Sequence, residues 1–254
     1  MEDVRKNQPV EGGLILSMPY KVTSADTDMN SRIRLGALAN LLIQSAVNSA
    51  DTLEAGFGGL RQQKLFWVLS RMTIEINKMP AWYQSGEIET WPKDVKKILY
   101  LRDFIVSDQE HKLIAKATSG WLAVDLDTKT PRTFQGGQSS CFDKLKDRHA
   151  LSYSPEKLFP VGGVEIKEIK TTYFDIDVNA HVTSSRYLDW MMDTFPVEFH
   201  QQHVPVKVSI NYLNETRLGE TIKLSKNTTD GKIFVFEGFN NEKEKISFRG
   251  KIEF

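Results

Sequence analysis

The sequence predicts an α+β protein made of two tandem units, each an antiparallel sheet wrapped around one long central helix. Two observations carry that expectation. The segment "ADTDMNSRIRLGALANLL" (25–42) aligns without a gap on "FDIDVNAHVTSSRYLDWM" (174–191). Asp26 then matches Asp175, Asp28 matches Asp177, Asn30 matches Asn179, and Arg32 stands where the second copy has His181. Each copy is also followed by several β-branched and aromatic runs broken by Gly, Pro, Asp and Asn, the punctuation of an antiparallel meander. A repeated order of helix then strands implies duplicated structure.

The elements follow in order. Leu35, Leu38, Leu41, Leu42 and Val47 recur at helical spacing, with Ser31 as the expected N-cap and Gly56 as the expected stop. The runs "FWVLSRMTIEI", "GEIETWP", "LYLRDFIVS" and "LIAKATSGWLAVDL" read as strands. Gly136, Gly137, Pro155, Pro160, Gly162 and Gly163 mark a connector from about Thr133 to Val164. In the second half Tyr187, Trp190, Met191 and Phe195 form the helical stripe of an expected 184–195 helix. Thr183 or Ser184 can cap it and Pro196 limits its end. "VPVKVSINYL", "ETIKLSKN", "KIFVFEGFN" and "KISFRGKIEF" follow as strands. A sheet around a central helix, occurring twice, is the tandem hot-dog arrangement. The expected division is 1–134, a connector at 135–164, and 165–254.

Composition narrows the function classes. Thirty-three basic residues balance thirty-three acidic ones, so no global charge favours nucleic acid or a membrane surface. Cys141 is the only cysteine, which excludes an intrachain disulfide and fits a reducing compartment. The apolar run near the N-terminus, "LILSM", is too short for a secretion signal, and nothing approaches the ~20 apolar residues of a membrane span. The expectation is a soluble, cytoplasmic protein.

Asp177, Asn179 and His181 are the chemical focus. In an extended lead-in their alternation points all three side chains to one side, just ahead of a helix N-terminus whose free N–H groups favour negative charge. A carboxylate, an amide and an imidazole can orient one another, donate to a carbonyl and move a proton. The structural alternative is an Asx-type turn that only starts the helix. Other chemistry finds little support. No Gly-x-Ser-x-Gly elbow is present, Cys141 falls in the connector, and His200 and His203 read as surface histidines near a helix end. Neither a metal nor a cofactor is expected.

The chain resembles the acyl-acyl carrier protein (acyl-ACP) thioesterases over nearly its whole length. "FWVLSRMTIEINKMPAWYQSGEIETWP" (66–92) resembles that family's strand–turn–strand with its Thr-Trp-Pro ending. "LRDFIVSDQEHKLIAKATSGWLAVDLDTKTPR" (101–132) resembles the next two strands, "DIDVNAHVTSSRYLDW" the catalytic motif, and "INYLNETRLGET" (210–221) the strand bearing a further carboxylate. The resemblance implies a catalytic second half with Asp177, Asn179, His181 and Glu215 in the active site, and hydrolysis of a fatty acyl thioester on acyl carrier protein. It further implies an inert first half, with Arg32 in place of the histidine, that walls the acyl pocket. Leu35, Leu38, Leu42, Trp67 and Leu69 are the candidate lining residues. Arg71, Lys93, Lys96, Lys97 and Arg102 form a basic cluster that either dresses a solvated strand face or docks the acidic carrier.

Two departures bear on mechanism: Thr183 and Ser184 replace an Asn-Asn pair common in the family, and Thr216 replaces the cysteine that plant members often carry, which leaves a water-based reaction. With no plastid peptide, the resemblance points to the bacterial branch, as monomer or homodimer. An acyl-CoA thioesterase, a non-catalytic acyl binder and a dehydratase relative are the alternatives.

Overall fold

The computed structural model describes residues 13–134, 142–160, 162–228 and 230–254. Cys141, Gly136 and Gly137 lie outside them. In the first half β1 (Leu16–Lys21) leads to α1 (Leu35–Thr52) and the short α2 (Phe57–Gln62). There follow β2 (Leu65–Ile76), β3 (Ser85–Lys96), β4 (Leu99–Asp108), β5 (Leu113–Asp125) and the two-residue β6 (Pro131–Arg132). The second half repeats this with β7 (Val164–Lys170), α3 (Ser184–Met192), α4 (Val197–Gln202), β8 (Lys207–Tyr212), β9 (Thr221–Thr228), β10 (Ile233–Asn240) and β11 (Lys245–Glu253). Among the described residues no helix is long and apolar enough to cross a membrane.

The two halves share one sheet. Its order, β1-β3-β4-β5-β2-β8-β11-β10-β9-β7, reads the same from either edge, and the seam is the antiparallel pair β2–β8. Thr73 stands opposite Ser209 at the centre of that seam, with their hydroxyls 3.1 Å apart. Arg71–Asn211 and Glu75–Lys207 lie symmetrically on either side, so a local two-fold axis passes between Thr73 and Ser209. Joining edge strands this way removes two open edges at once.

The helices pack against the sheet and against each other. α1 buries Leu35, Leu38, Leu42 and Ala46 at i, i+3, i+7 and i+11; of the expected stripe, Leu41 is only half-buried and Val47 is exposed, so Ala46 takes the place expected of Val47. These join Leu188 and Met191 of α3, Phe104 of β4 and Phe248 of β11 in one core spanning both halves. The outer face of β3 and β4 is covered by residues 142–160, so Thr90, Trp91, Pro92 and Lys93 are all buried in succession. Arg148 stacks on Trp91, and Glu156 crosses the seam, accepting from Ser209 Oγ at 2.8 Å.

Several sequence expectations shift. Arg34, not Ser31, precedes the first turn of α1; Ser31 adopts a φ of 59° in the turn before it. α1 ends at Thr52, and Gly56 instead starts α2. α3 begins after Thr183 as expected but stops at Met192, half the length of α1, and Pro196 starts α4. Lys93 and Arg102 do not belong to a surface cluster. A bulge at Lys93 turns its ammonium inward to Asp103 (2.9 Å) and Leu151 O (2.6 Å), while Arg102 donates to Ser49 Oγ and Thr90 Oγ1 beneath α1. Burying a cation is tolerable only with such partners, and these two have them. Lys96 and Lys97 remain exposed, and Arg71 is half-buried.

Candidate active site

The stretch 175–183 is a tight loop rather than an extended lead-in. Ala180 N–H donates to Asp177 O and Asp177 N–H to His181 O, with Ala180 at φ 62° and Ile176 bridging Val182. This is a type I turn closed by a left-handed residue. Asp177 holds it: Oδ1 accepts the N–H groups of Asn179 (2.8 Å) and His181 (3.2 Å), and Oδ2 lies 3.4 Å from Asn179 Nδ2. The Asx turn, the structural alternative, is therefore present, and it brings these residues together.

Upstream, Asp175 accepts from Thr172 N–H, Thr172 Oγ1 and Arg186 Nε, each at 2.8 Å. Burial pushes its carboxyl up, but these donors outweigh it and hold it below the usual carboxylate range. Downstream, Val182 N–H donates to Thr216 O and Tyr212 Oη to Ser184 O, which tie the loop and the start of α3 to β8 and the strand exit behind it. Among the described residues the amides of Ser184 and Ser185, in the first turn of α3, have no assigned acceptor.

That tie places Glu215 beside the loop. His181 Nε2 lies 2.8 Å from Glu215 Oε2, with both side chains partly solvent-exposed. Arg217 Nη2 donates to Glu215 Oε1 at 2.7 Å, and Lys243 Nζ donates to the Glu215 carbonyl at 2.7 Å. Lys243 also reaches Glu220, whose carboxyl is raised by burial but lowered more by the Arg217 amide, Asn240 and Lys243. The structure thus joins Asp177, Asn179, His181 and Glu215, and adds Arg217 and Lys243. Arg217 could have been found from its place two residues after Glu215; Lys243 comes from the β10–β11 turn and carries no sequence signal.

The first half repeats the loop without its chemistry. Asp28 Oδ1 accepts the N–H groups of Asn30 and Arg32, Thr27 bridges Ile33, and Ser31 takes the place of Ala180. Ile33 N–H donates to Pro80 O just as Val182 N–H donates to Thr216 O, both at 2.8 Å. Met79 is thereby the counterpart of Glu215, and Arg32 that of His181. One corner of the fold holds an imidazole–carboxylate pair; the other holds Arg32 and Met79.

The expected pocket residues separate. Leu38, Leu42 and Leu69 are core, and Leu35 lines the cavity at the Arg32 corner. Trp67 borders a narrow cavity beneath α1 with Ala46, Ala50, Tyr100 and Phe142. His200 and His203 also face the Arg32 corner, and His203 stacks on Phe199 with ring centroids 4.1 Å apart.

These features define a double hot-dog protein with an imidazole–carboxylate pair at one of two equivalent corners. The model of the acyl-ACP thioesterase N-terminal domain matches residues 13–135, and that of the C-terminal domain matches residues 160–254. The chain belongs to the acyl-ACP thioesterase family. It is 26% identical over 243 residues to oleoyl-acyl carrier protein thioesterase 2 of Arabidopsis thaliana, covering 86% of this chain and 64% of that protein. It is 25% identical over 226 residues to the dodecanoyl-[acyl-carrier-protein] hydrolase of Cinnamomum camphora, covering 83% and 59%. The chain thus spans under two thirds of the length of these two relatives. The crystal structure of an acyl-ACP thioesterase from Bacteroides thetaiotaomicron superposes with a TM-score of 0.87 at 26% identity, covering 94% of this chain and 97% of that one. The 12:0-ACP thioesterase of Umbellularia californica shares the fold, with a TM-score of 0.81 at 19% identity over 96% and 98% of the two chains.

Proposed function

We propose that this chain hydrolyses the thioester of a fatty acyl-acyl carrier protein, releasing a free fatty acid and the carrier thiol. The observation that carries the reading is the 2.8 Å contact between His181 Nε2 and Glu215 Oε2 at the start of α3, absent from the equivalent corner. The His181–Glu215 pair takes a proton from water as its oxygen attacks the thioester carbonyl. The tetrahedral oxyanion is met by first-turn amides of α3 and by Asn179, donors fixed before reaction. Collapse expels the thiolate, which takes up the proton. Asp177 shapes the loop, and Arg217 holds one Glu215 oxygen so that the other faces His181.

The acyl chain is assigned to the first half. The cavity at the Arg32 corner is lined by Lys167, Asp189, Met192 and Phe195. Carried through the repeat, those positions become Met18, Asn40, Ile43 and Ala46 beside the catalytic loop. Ala46 also borders the Trp67 cavity, so the small residues of α1 lead from one to the other. Residues 1–134 then form the acyl-binding unit, 135–164 the connector and 165–254 the catalytic unit. Arg217 and Lys243 at the site, with exposed Lys96 and Lys97, offer the positive charge that an acidic carrier needs; Lys93 and Arg102 do not. A cytoplasmic, bacterial-type enzyme acting as monomer or homodimer completes the reading.

Thiol release from a panel of acyl-ACPs, with matched acyl-CoAs alongside, tests it. Turnover of acyl-ACP that is abolished in His181→Ala and Glu215→Ala is expected. No release from any acyl-ACP, or preference for acyl-CoA, overturns it.

A further inference from the structure

The Arg32 corner forms a half-open cavity of about 580 Å³, within the range of small-ligand sites. Its wall is largely apolar, built from Ile33, Leu35, Met79, Met192, Phe195 and Val204. Its polar end is unusual in two respects. Asn30 lines the cavity, and its Nδ2 is buried with no acceptor among the described residues. A buried donor left unpaired is destabilising, and a ligand oxygen reaching it would remove that cost. Arg32 Nη2 donates to His200 O at 3.0 Å, but no carboxylate lies within ion-pair distance of its guanidinium among the described residues.

The acidic groups lining the cavity are already engaged. Asp28 accepts the Asn30 and Arg32 amides, and Asp189 is held by Arg34 at 3.6 Å and by Arg186 at 3.1 Å. Asp193 has Lys167 at 4.0 Å. Arg32 is the lining cation without a carboxylate partner among the described residues, next to the Asn30 amide, whereas Arg34, Arg186 and Lys167 each have one. At the opposite corner the equivalent positions are His181 and Asn179, and the position of Glu215 is taken here by Met79. The corner keeps the amide, has no carboxylate at the place of Glu215, and gains a fixed positive charge.

We propose that this second corner is a binding site for a free fatty acid, with its carboxylate held by Arg32 and Asn30 Nδ2 and its hydrocarbon tail in the apolar cavity. A guanidinium and an amide N–H₂ match the acceptors of a carboxylate, and the absent base makes the site one that binds without turnover. The assignment does not depend on the hydrolysis reading, because binding is measured without any thioester.

Titration of the intact chain with dodecanoate carrying ¹³C at the carboxyl carbon tests the site. The wild type and His181→Ala should both show a saturable bound carboxylate signal. Arg32→Gln should weaken it at least tenfold, and dodecanol, with the same tail but no charge, should not compete. Met79→Glu leaves the Arg32–His200 contact in place and sets a carboxylate beside the guanidinium; it should abolish binding by internal neutralisation. Unchanged affinity in a folded Arg32→Gln or Met79→Glu variant overturns the site, as does absence of any bound signal. Loss of binding in His181→Ala alone would place the fatty acid at the catalytic corner and also overturns it.

Discussion

His181 and Glu215 meet at 2.8 Å although they come from different elements, and the two positions equivalent to them by the local two-fold axis, Arg32 and Met79, can form no such pair. The asymmetry turns on one side chain at each position, since the loop backbones match hydrogen bond for hydrogen bond. Removal of either member of the pair should therefore lower kcat by ~10²–10⁴, the usual worth of a positioned acid–base group. A pair in direct contact that acts as a unit, as proposed, predicts a double variant His181→Ala/Glu215→Ala little worse than either single one. Steady-state thiol release measures both effects. Multiplied losses in the double variant would mean that the residues act independently.

Asp28 and Asp177 offer a matched comparison. Each carboxylate accepts two backbone N–H groups of its loop. Asp177→Ala and Asp28→Ala should each cost ~1–3 kcal/mol, the scale of hydrogen bonds to a charged acceptor. Thermal unfolding should show similar drops for both. Hydrolysis should fall far more in Asp177→Ala, because only that loop carries His181. Equal losses of activity would mean that both corners work.

Much of this fold was legible because the duplication is written twice. The aligned Asp-x-Asp-x-Asn segments announced two equivalent loops, and β-branched runs announced the strands. The loop conformation was misread because alternation alone cannot tell an extended segment from a turn whose Asp side chain captures the next amides. Ser31 was misplaced for the same reason: the left-handed turn residue looks like a cap in sequence. Lys93 and Arg102 looked exposed because local sequence does not reveal that residues 142–160 fold back over β3. Asp177, Asn179 and His181 stood out by their spacing alone, Glu215 only through the family resemblance, and Lys243 arrives from a turn that spacing could not connect.

The Asp175 carboxyl gives a pH signature. Burial raises its proton affinity, but the Thr172 amide and hydroxyl and Arg186 lower it more, so it titrates below the unfolded value of ~3.9. Its contribution to stability is present above that value. As pH falls, the unfolded chain takes up the proton first, and the contribution is gone once the folded carboxyl is also protonated. Asp175→Asn removes it at neutral pH. The wild type should melt a few degrees above the variant at pH 7, and the two curves should converge once the pH has fallen far enough to protonate the folded carboxyl. A Tm gap that stays constant to low pH would show that charge at Asp175 contributes nothing.

Gly36 sets how closely α1 and α3 approach. A Cβ built there would lie 2.4 Å from Asp189 Oδ1 and 2.8 Å from the carbonyl of Ser185. The first neighbour is held by Arg34 and Arg186, and the second is backbone, so neither can yield without moving α3. In an open helix Gly→Ala is stabilising by up to about 1 kcal/mol. Here the overpacking cost of ~1–3 kcal/mol opposes and outweighs it. Gly36→Ala should lower Tm, by about 2–4 °C for each kcal/mol lost. Since α3 starts at the loop that carries His181, kcat should fall with it on the proposed reading, whereas a rise in Tm would show that the helices can part without cost.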